Sequence, residues 1–222
     1  FTGEYDGGGY SINNLTINRP NTTRMVGLFG YCANGCAIRN LSLTNANITG
    51  RSFRVGSIAG RLYKSTVDNC SASGSVTGRT YVGGLVGDTY DDSIIRNSYS
   101  TASVVGSDLY VGGLVGRAGN TTILNSYSTG SVDATSINYN TPTFTGGLVG
   151  YKYGTITITD SFYDSTTSGK SDTGKGTGKT TAQMKTLATF TDTSTTGLST
   201  SWDFNDTWKI DTSGTINGGY PY

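Results

Sequence analysis

The chain has 222 residues, 33 of them Gly, with 14% charged side chains and a net charge of +1. It contains no His, which excludes a His-dependent catalytic triad and an imidazole-ligated zinc site. No basic stripe points to nucleic acid, and no apolar run in this fragment approaches the roughly 20 residues of a membrane span.

In chain order, GGGYSINNLTIN (residues 7–18) comes first, and its Ile12, Asn14, Leu15 and Ile17 read as half of a repeat unit. Full units follow. MVGLFG (25–30), VGSIAG (55–60), VGGLVG (82–87), VGGLVG (111–116) and TGGLVG (145–150) close on Gly30, Gly60, Gly87, Gly116 and Gly150, at spacings of 30, 27, 29 and 34. Asn40, Asn69, Asn97, Asn125 and Asp160 lie nine or ten residues after these glycines. Each follows an apolar residue by two: Ile38, Val67, Ile95, Ile123 and Ile158. Ile48, Val76, Val104 and Val132 come seven or eight residues after the first four. Landmarks held in register over five copies mark a repeat architecture.

Within each unit, short β-branched and aromatic segments such as SIIRNSYS and ASVVG alternate with Gly, Asn, Asp and Ser, which predicts strands rather than helices. Each strand is expected to pair with its counterpart in the next unit, so that a coil buries the face its neighbour cannot cover alone. The predicted fold is all-β, a right-handed parallel β-helix (β-solenoid) of five to six coils over residues 1–167, with Leu28, Ile58, Leu85, Leu114 and Leu148 stacked inside. The in-register Asn residues are expected to form a ladder at a bend.

Residues 168–222 leave the pattern and read as a C-terminal cap. SGKSDTGKGTGKTT is a loop. TTAQMKTLATF predicts a short helix with Thr180 or Thr181 as N-cap and a partial stripe of Met184, Leu187 and Phe190. Trp202, Phe204 and Trp208 are expected to seal the last coil, a sugar-binding aromatic cluster being the rival reading. Gly178-Lys179-Thr180 has the ending of a phosphate-binding loop, but Thr173 stands where that motif needs Gly.

Three sets of side chains are candidates for function. Cys32 and Cys36 in CANGC could close a disulfide around an Asn-Gly turn, while Cys70, aligned with Leu41, reads as a buried small apolar residue. Asp88, Asp91 and Asp92 in DTYDDS could ligate Ca²⁺ or serve acid–base hydrolysis. The equivalent turns YCANGC, RLYKS, RAGNT and YKYG carry no such cluster, so a solvated turn is the plainer reading. Tyr99, Tyr127 and Phe162 occupy equivalent positions and form an aromatic line, a glycan platform if it faces outward and core if it faces inward. No cofactor is required, and Ca²⁺ is the one candidate.

The string GGLVG with its trailing N-S-Y-S-T-G-S-V segment, clearest at 82–106 and 111–132, resembles the GLUG motif. The lead-in FTGEYDGGGYSINNLTIN and the exit TGKTTAQMKTLATFT…GGYPY extend the resemblance over most of the chain. Proteins with such repeats are mostly large bacterial or archaeal surface and secreted proteins. Many are adhesin-like, and some carry an IgA-peptidase elsewhere in the chain. The resemblance implies a β-helix or related solenoid and no particular ligand. With Phe1 and Tyr222 reading as cut ends, the expectation is a monomeric fragment of a longer extracellular, cell-surface or secreted protein. Its expected role is non-catalytic binding or adhesion to a glycan, a polysaccharide or a host or neighbour-cell protein. The alternatives are a polysaccharide-processing β-helix enzyme and a structural stalk.

Overall fold

Segments of four to seven residues punctuated by Gly and Asn can hydrogen-bond only to a chain running alongside. The computed structural model describes residues 1–20, 24–51, 53–135 and 144–222, and in it the repeats form a parallel β-solenoid. All strand pairings among the described residues are parallel, apart from one isolated antiparallel bridge between Ile210 and Pro221. Tyr5, Ile38, Val67, Ile95, Ile123 and Ile158 stack on one wall. Ile17, Ile48, Val76, Val104 and Val132 stack on another. A separate four-stranded sheet aligns Val55, Val82, Val111 and Thr145, with Val26 bridged to its edge.

From Val26 to Thr145 the chain completes four turns, fewer than the five to six coils the repeat count predicts. The first pass (residues 1–20) and the last (after Val149) are only partial. The half-repeat also sits in a different register. Ile12 pairs beside Leu43 rather than on the Ile38 line, which Tyr5 occupies, and Asn14 joins Asn45 at a second corner.

The recurrent VGGLVG string is where two walls press backbone to backbone. Ile58, Leu85, Leu114 and Leu148 are fully buried, and Leu28 packs against them from the open end. The N–H groups of Ile58, Leu85 and Leu114 each donate to the next leucine's carbonyl, as in Leu85 N to Leu114 O at 2.9 Å. The flanking glycines permit the approach. A Cβ on Gly116 would lie 2.5 Å from both Tyr81 C and Val82 N, a distance no side chain tolerates.

The bend after the Ile38 wall is built from Asn and Ser together. Asn40, Asn69, Asn97, Asn125 and Asp160 all hold left-handed backbone, φ 45–51°, which Asn tolerates better than most residues. Asn69 Nδ2 donates to Asn40 Oδ1 (2.8 Å), and Asn40 Nδ2 donates to Asp6 Oδ1 (3.0 Å). The amide ladder then changes partner, and Asn97 donates to Asp68 instead. Beside it runs a buried hydroxyl ladder. Ser98, Ser126 and Ser161 each donate to their own i−2 carbonyl and accept an N–H from the preceding coil. The bend's inward polar groups are thereby satisfied without water.

Cys32 and Cys36 are disulfide-bonded across the Asn34-Gly35 turn, with both cysteines buried. Cys70 is free and buried, and burial pushes its thiol up to about 12.

After Phe162–Asp164 the chain enters a short helix, Ser165–Ser168, N-capped by Asp164. Thr177–Lys179 then returns to pair on the last coil. The single helix predicted over TTAQMKTLATF is two, Thr181–Met184 and Ala188–Thr191. Thr180 caps the first, and its side chain and that of Gln183 form a reciprocal capping box. Met184 and Phe190 are buried, but Leu187, in the break, is exposed. Trp202, Trp208 and Tyr220 do not stop at the end of the stack. They run back along its flank, over Phe162, Tyr127 and Tyr99.

A candidate ligand-binding face of tyrosine and arginine

The three sequence-derived candidates fare differently. Tyr99 and Tyr127 stack 4.9 Å apart with an interplanar angle of 4°, so the aromatic line exists. It is not an open platform. Tyr127 and Phe162 are 0% exposed, buried beneath Met184, Phe190, Leu198, Trp202 and Trp208, and Tyr99 packs on the same cluster. The line faces away from the solenoid interior, and the returning C-terminal segment covers it. Asp160 holds that segment by accepting from Ser199 and Thr200, while its carbonyl accepts from Trp202 Nε1.

Asp88, Asp91 and Asp92 do not come together as one set of ligands. Asp88 is fully buried, and its carboxylate faces three guanidiniums. Arg54 Nε approaches at 2.8 Å, Arg117 Nε at 2.8 Å and Arg61 Nε at 3.4 Å. Both of its oxygens are thus engaged by cationic donors. Asp91 pairs with Lys64 at 3.6 Å, and both Asp91 and Asp92 hold left-handed turn backbone. Among the described residues, no three His, Cys, Asp or Glu side chains come together as a metal site.

The arginines lead to a surface that sequence reasoning missed. The residue directly after each closing glycine forms one line through the four turns: Tyr31, Arg61, Asp88, Arg117 and Tyr151. Two positions further on, Tyr63 and Tyr90 pair in register, as do Gly119 and Tyr153. On the adjoining sheet, the residue before each Val gives Arg54, Tyr81 and Tyr110.

These side chains interlock. Tyr81 and Tyr110 stack at 5.2 Å, and Tyr110 and Tyr151 at 4.5 Å. The Arg117 guanidinium lies 4.3 Å from the Tyr81 ring centre and 5.0 Å from that of Tyr153, while Arg61 lies over Tyr31 and Tyr90. Gly119 leaves the space into which the Tyr153 ring lies, close to Tyr90. The result is a partly exposed band of rings and guanidiniums centred on one buried carboxylate.

The backbone beneath this band is strained. Arg54, Tyr81 and Tyr110 have φ of 75°, 57° and 63°, a region that large side chains adopt at a cost of about 1–3 kcal/mol each. At the bend, the same conformation is given to Asn. At the band, large side chains hold it.

Three comparisons place the chain among known proteins. The family model described as the GLUG motif matches residues 52–77, 78–105 and 107–133. A provisionally named Gly-rich membrane protein of Evansella cellulosilytica is 45% identical over 69 residues, 30% of this chain and 7% of the relative. Halomucin of Haloquadratum walsbyi is 38% identical over 78 residues, 34% of this chain and 1% of the relative. The matches thus span a small fraction of either relative. Among solved structures, a protein of Bacteroides ovatus assigned provisionally as an immunoglobulin A1 protease superposes with a TM-score of 0.57 at 24% identity. That superposition covers 72% of this chain and 51% of the other, and it is a likeness of fold. Residues 52–133 of this chain carry three tandem GLUG motifs, and the motif here is one turn of a parallel β-solenoid.

Proposed function

We propose that this chain is a non-catalytic module of a large cell-surface or secreted protein, and that it binds an extended glycan or protein ligand through the tyrosine–arginine band. The observation that carries the reading is the left-handed backbone at Arg54, Tyr81 and Tyr110. Gly or Asn would relieve that strain, so large aromatic and cationic side chains there are better explained by what they present than by stability. A band in register across successive coils, about 4.8 Å apart, suits a ligand that is itself extended. Asp88, the carboxylate at its centre, is committed to guanidinium donors, which favours binding over acid–base chemistry. The surface placement draws on the similarity to a Gly-rich membrane protein and to halomucin.

The test is binding of the chain to a panel of soluble and insoluble polysaccharides, with reducing-end release read from the same samples. Saturable binding without product, lost in Tyr110→Asn while the melting temperature holds, is the expected result. Product release would overturn the non-catalytic reading. Silence across the panel and against candidate surface proteins would leave a spacer in its place.

A further inference from the structure

The tyrosine–arginine band carries more charge than its own carboxylate neutralises. Arg54, Arg61 and Arg117 converge on the single Asp88, leaving a local excess of positive charge in a chain whose total is only +1. Three other acidic residues near this wall have partners of their own, while Asp92, in the turn beyond Tyr90, makes no ion pair among the described residues. Asp91 pairs with Lys64, Asp108 with Arg79 and Asp68 with Arg96. The three arginine side chains are only 18–21% exposed, so salt screens this charge less than it would a surface lysine.

The guanidiniums also hold donors that Asp88 does not take. Arg54 gives it one hydrogen bond, through Nε, and Arg117 gives two, through Nε and Nη2. Arg61 Nε is buried and makes no hydrogen bond, standing 3.4 Å from Asp88 Oδ2. Each guanidinium has more N–H groups than these. The planes are fixed by ring contacts to Tyr31, Tyr81, Tyr90 and Tyr153, so their orientation is set before a ligand arrives.

Resting on the binding function proposed above, we infer that the band is a subsite for an acidic polysaccharide. A carboxylate or sulfate group of a sugar chain would sit on the Arg54–Arg61–Arg117 cluster, with adjacent sugar residues lying along the tyrosines. Planar anionic oxygens match the guanidinium fork, and a compact lysine ammonium would not discriminate them as well. Aromatic side chains between the arginines supply the apolar contact a sugar ring needs and a simple polyanion lacks.

The experiment measures binding of the chain to four polymers: polygalacturonate (carboxylate sugars), dextran sulfate (sulfate sugars), dextran (neutral sugars) and polyglutamate (carboxylates without sugars). Polygalacturonate or dextran sulfate is expected to bind at least about tenfold more tightly than dextran and polyglutamate, with affinity falling as salt rises. Arg61→Gln, which removes a guanidinium that makes no hydrogen bond through Nε, is expected to weaken the acidic-glycan binding about tenfold with an unchanged melting temperature. The preference between the two acidic polymers identifies the anionic group. Equal binding of polyglutamate would overturn the sugar assignment. Dextran binding as tightly as the acidic glycans would overturn the charge assignment while leaving the binding function standing. Silence from all four polymers, with binding found elsewhere on a wider panel, would overturn this subsite alone. An Arg61→Gln chain with unchanged affinity would overturn it as well.

Discussion

Two aromatic arrays run along this solenoid, and their fates are opposite. Tyr99, Tyr127 and Phe162 stand in register on one wall and end up as core, because Trp202, Trp208 and Tyr220 fold back over them. Tyr81, Tyr110, Tyr151 and Tyr153 stand on two other walls and remain partly exposed, interleaved with arginine. Stacking alone does not distinguish them, since both pairs Tyr99–Tyr127 and Tyr81–Tyr110 are parallel within 4°. The difference comes from what covers the rings. An aromatic ladder on a solenoid is a neutral element until another segment takes it as core or leaves it to a ligand.

The sharpest way to break this contrast is to truncate one ring from each array. Tyr127→Ala removes a fully buried ring and the hydrogen bond from its hydroxyl to the Pro221 carbonyl, and is expected to cost about 3–5 kcal/mol. Tyr110→Asn, on the exposed band, is expected to change stability by about 1 kcal/mol or less, since lost stacking is offset by relief of its left-handed φ, which Asn tolerates. Shifts in urea midpoint at constant slope check both. Equal losses would mean that the band is structural packing and that the two arrays do not differ in kind.

The same contrast can be sharpened at glycine. A methyl group on Gly116 would meet backbone atoms at 2.5 Å, which cannot move without parting the two walls, so Gly116→Ala is expected to cost about 3 kcal/mol. A methyl group on Gly119 would meet the end of the Tyr153 ring. That ring can swing out to solvent, so Gly119→Ala is expected to cost about 1 kcal/mol or less while weakening glycan binding, because Tyr153 leaves Arg117 and Tyr90. Thermal melts of the two variants beside the binding assay separate the outcomes. A large loss in Gly119→Ala would place that glycine with the backbone contacts instead.

The solenoid was legible because its determinants repeat as residue types. Leu85 and Leu114 sit in identical strings, and Gly, Asn and Ile return at fixed intervals, so the stacked core follows from spacing. The band was hidden for the opposite reason. Its line reads Tyr31, Arg61, Asp88, Arg117, Tyr151, a sequence of different residues that complement one another across coils rather than recur. The signal was positional, directly after each closing glycine and directly before each Val of the string. Reading Asp88 with Asp91 and Asp92 followed their closeness in sequence, whereas the solenoid groups residues one coil apart. The fate of the Tyr127 line was fixed by Trp208, far along the chain in a segment with no repeat to align.

Alkaline titration gives the smallest effect but probes both arrays in one sample. Burial pushes the Tyr127 phenol well above its ordinary value. Tyr220 is pushed up to about 12, by burial first and then by its hydrogen bond to Asp164. On the band, Tyr110 and Tyr153 are also raised by burial, but there the Arg117 charge pulls both back. A phenol whose folded value lies above its unfolded value of about 10 is protonated in the native state where the unfolded chain has already lost its proton. The stability linked to Tyr220 is therefore complete below pH of about 10 and is lost as pH rises from there through about 12, and that linked to Tyr127 is likewise lost as pH rises above about 10. Phenolate absorbance is expected to rise first from the exposed members of the 15 tyrosines, with Trp202 and Trp208 fluorescence unchanged. A second, cooperative rise should coincide with the fluorescence change as the C-terminal segment detaches. Tyr127→Phe, which keeps the ring and loses the proton, should remove one phenol from that second phase only. If all the phenols titrate in one step before the tryptophan signal moves, the Tyr127 line is as open to solvent as the band, and the distinction between the two arrays fails.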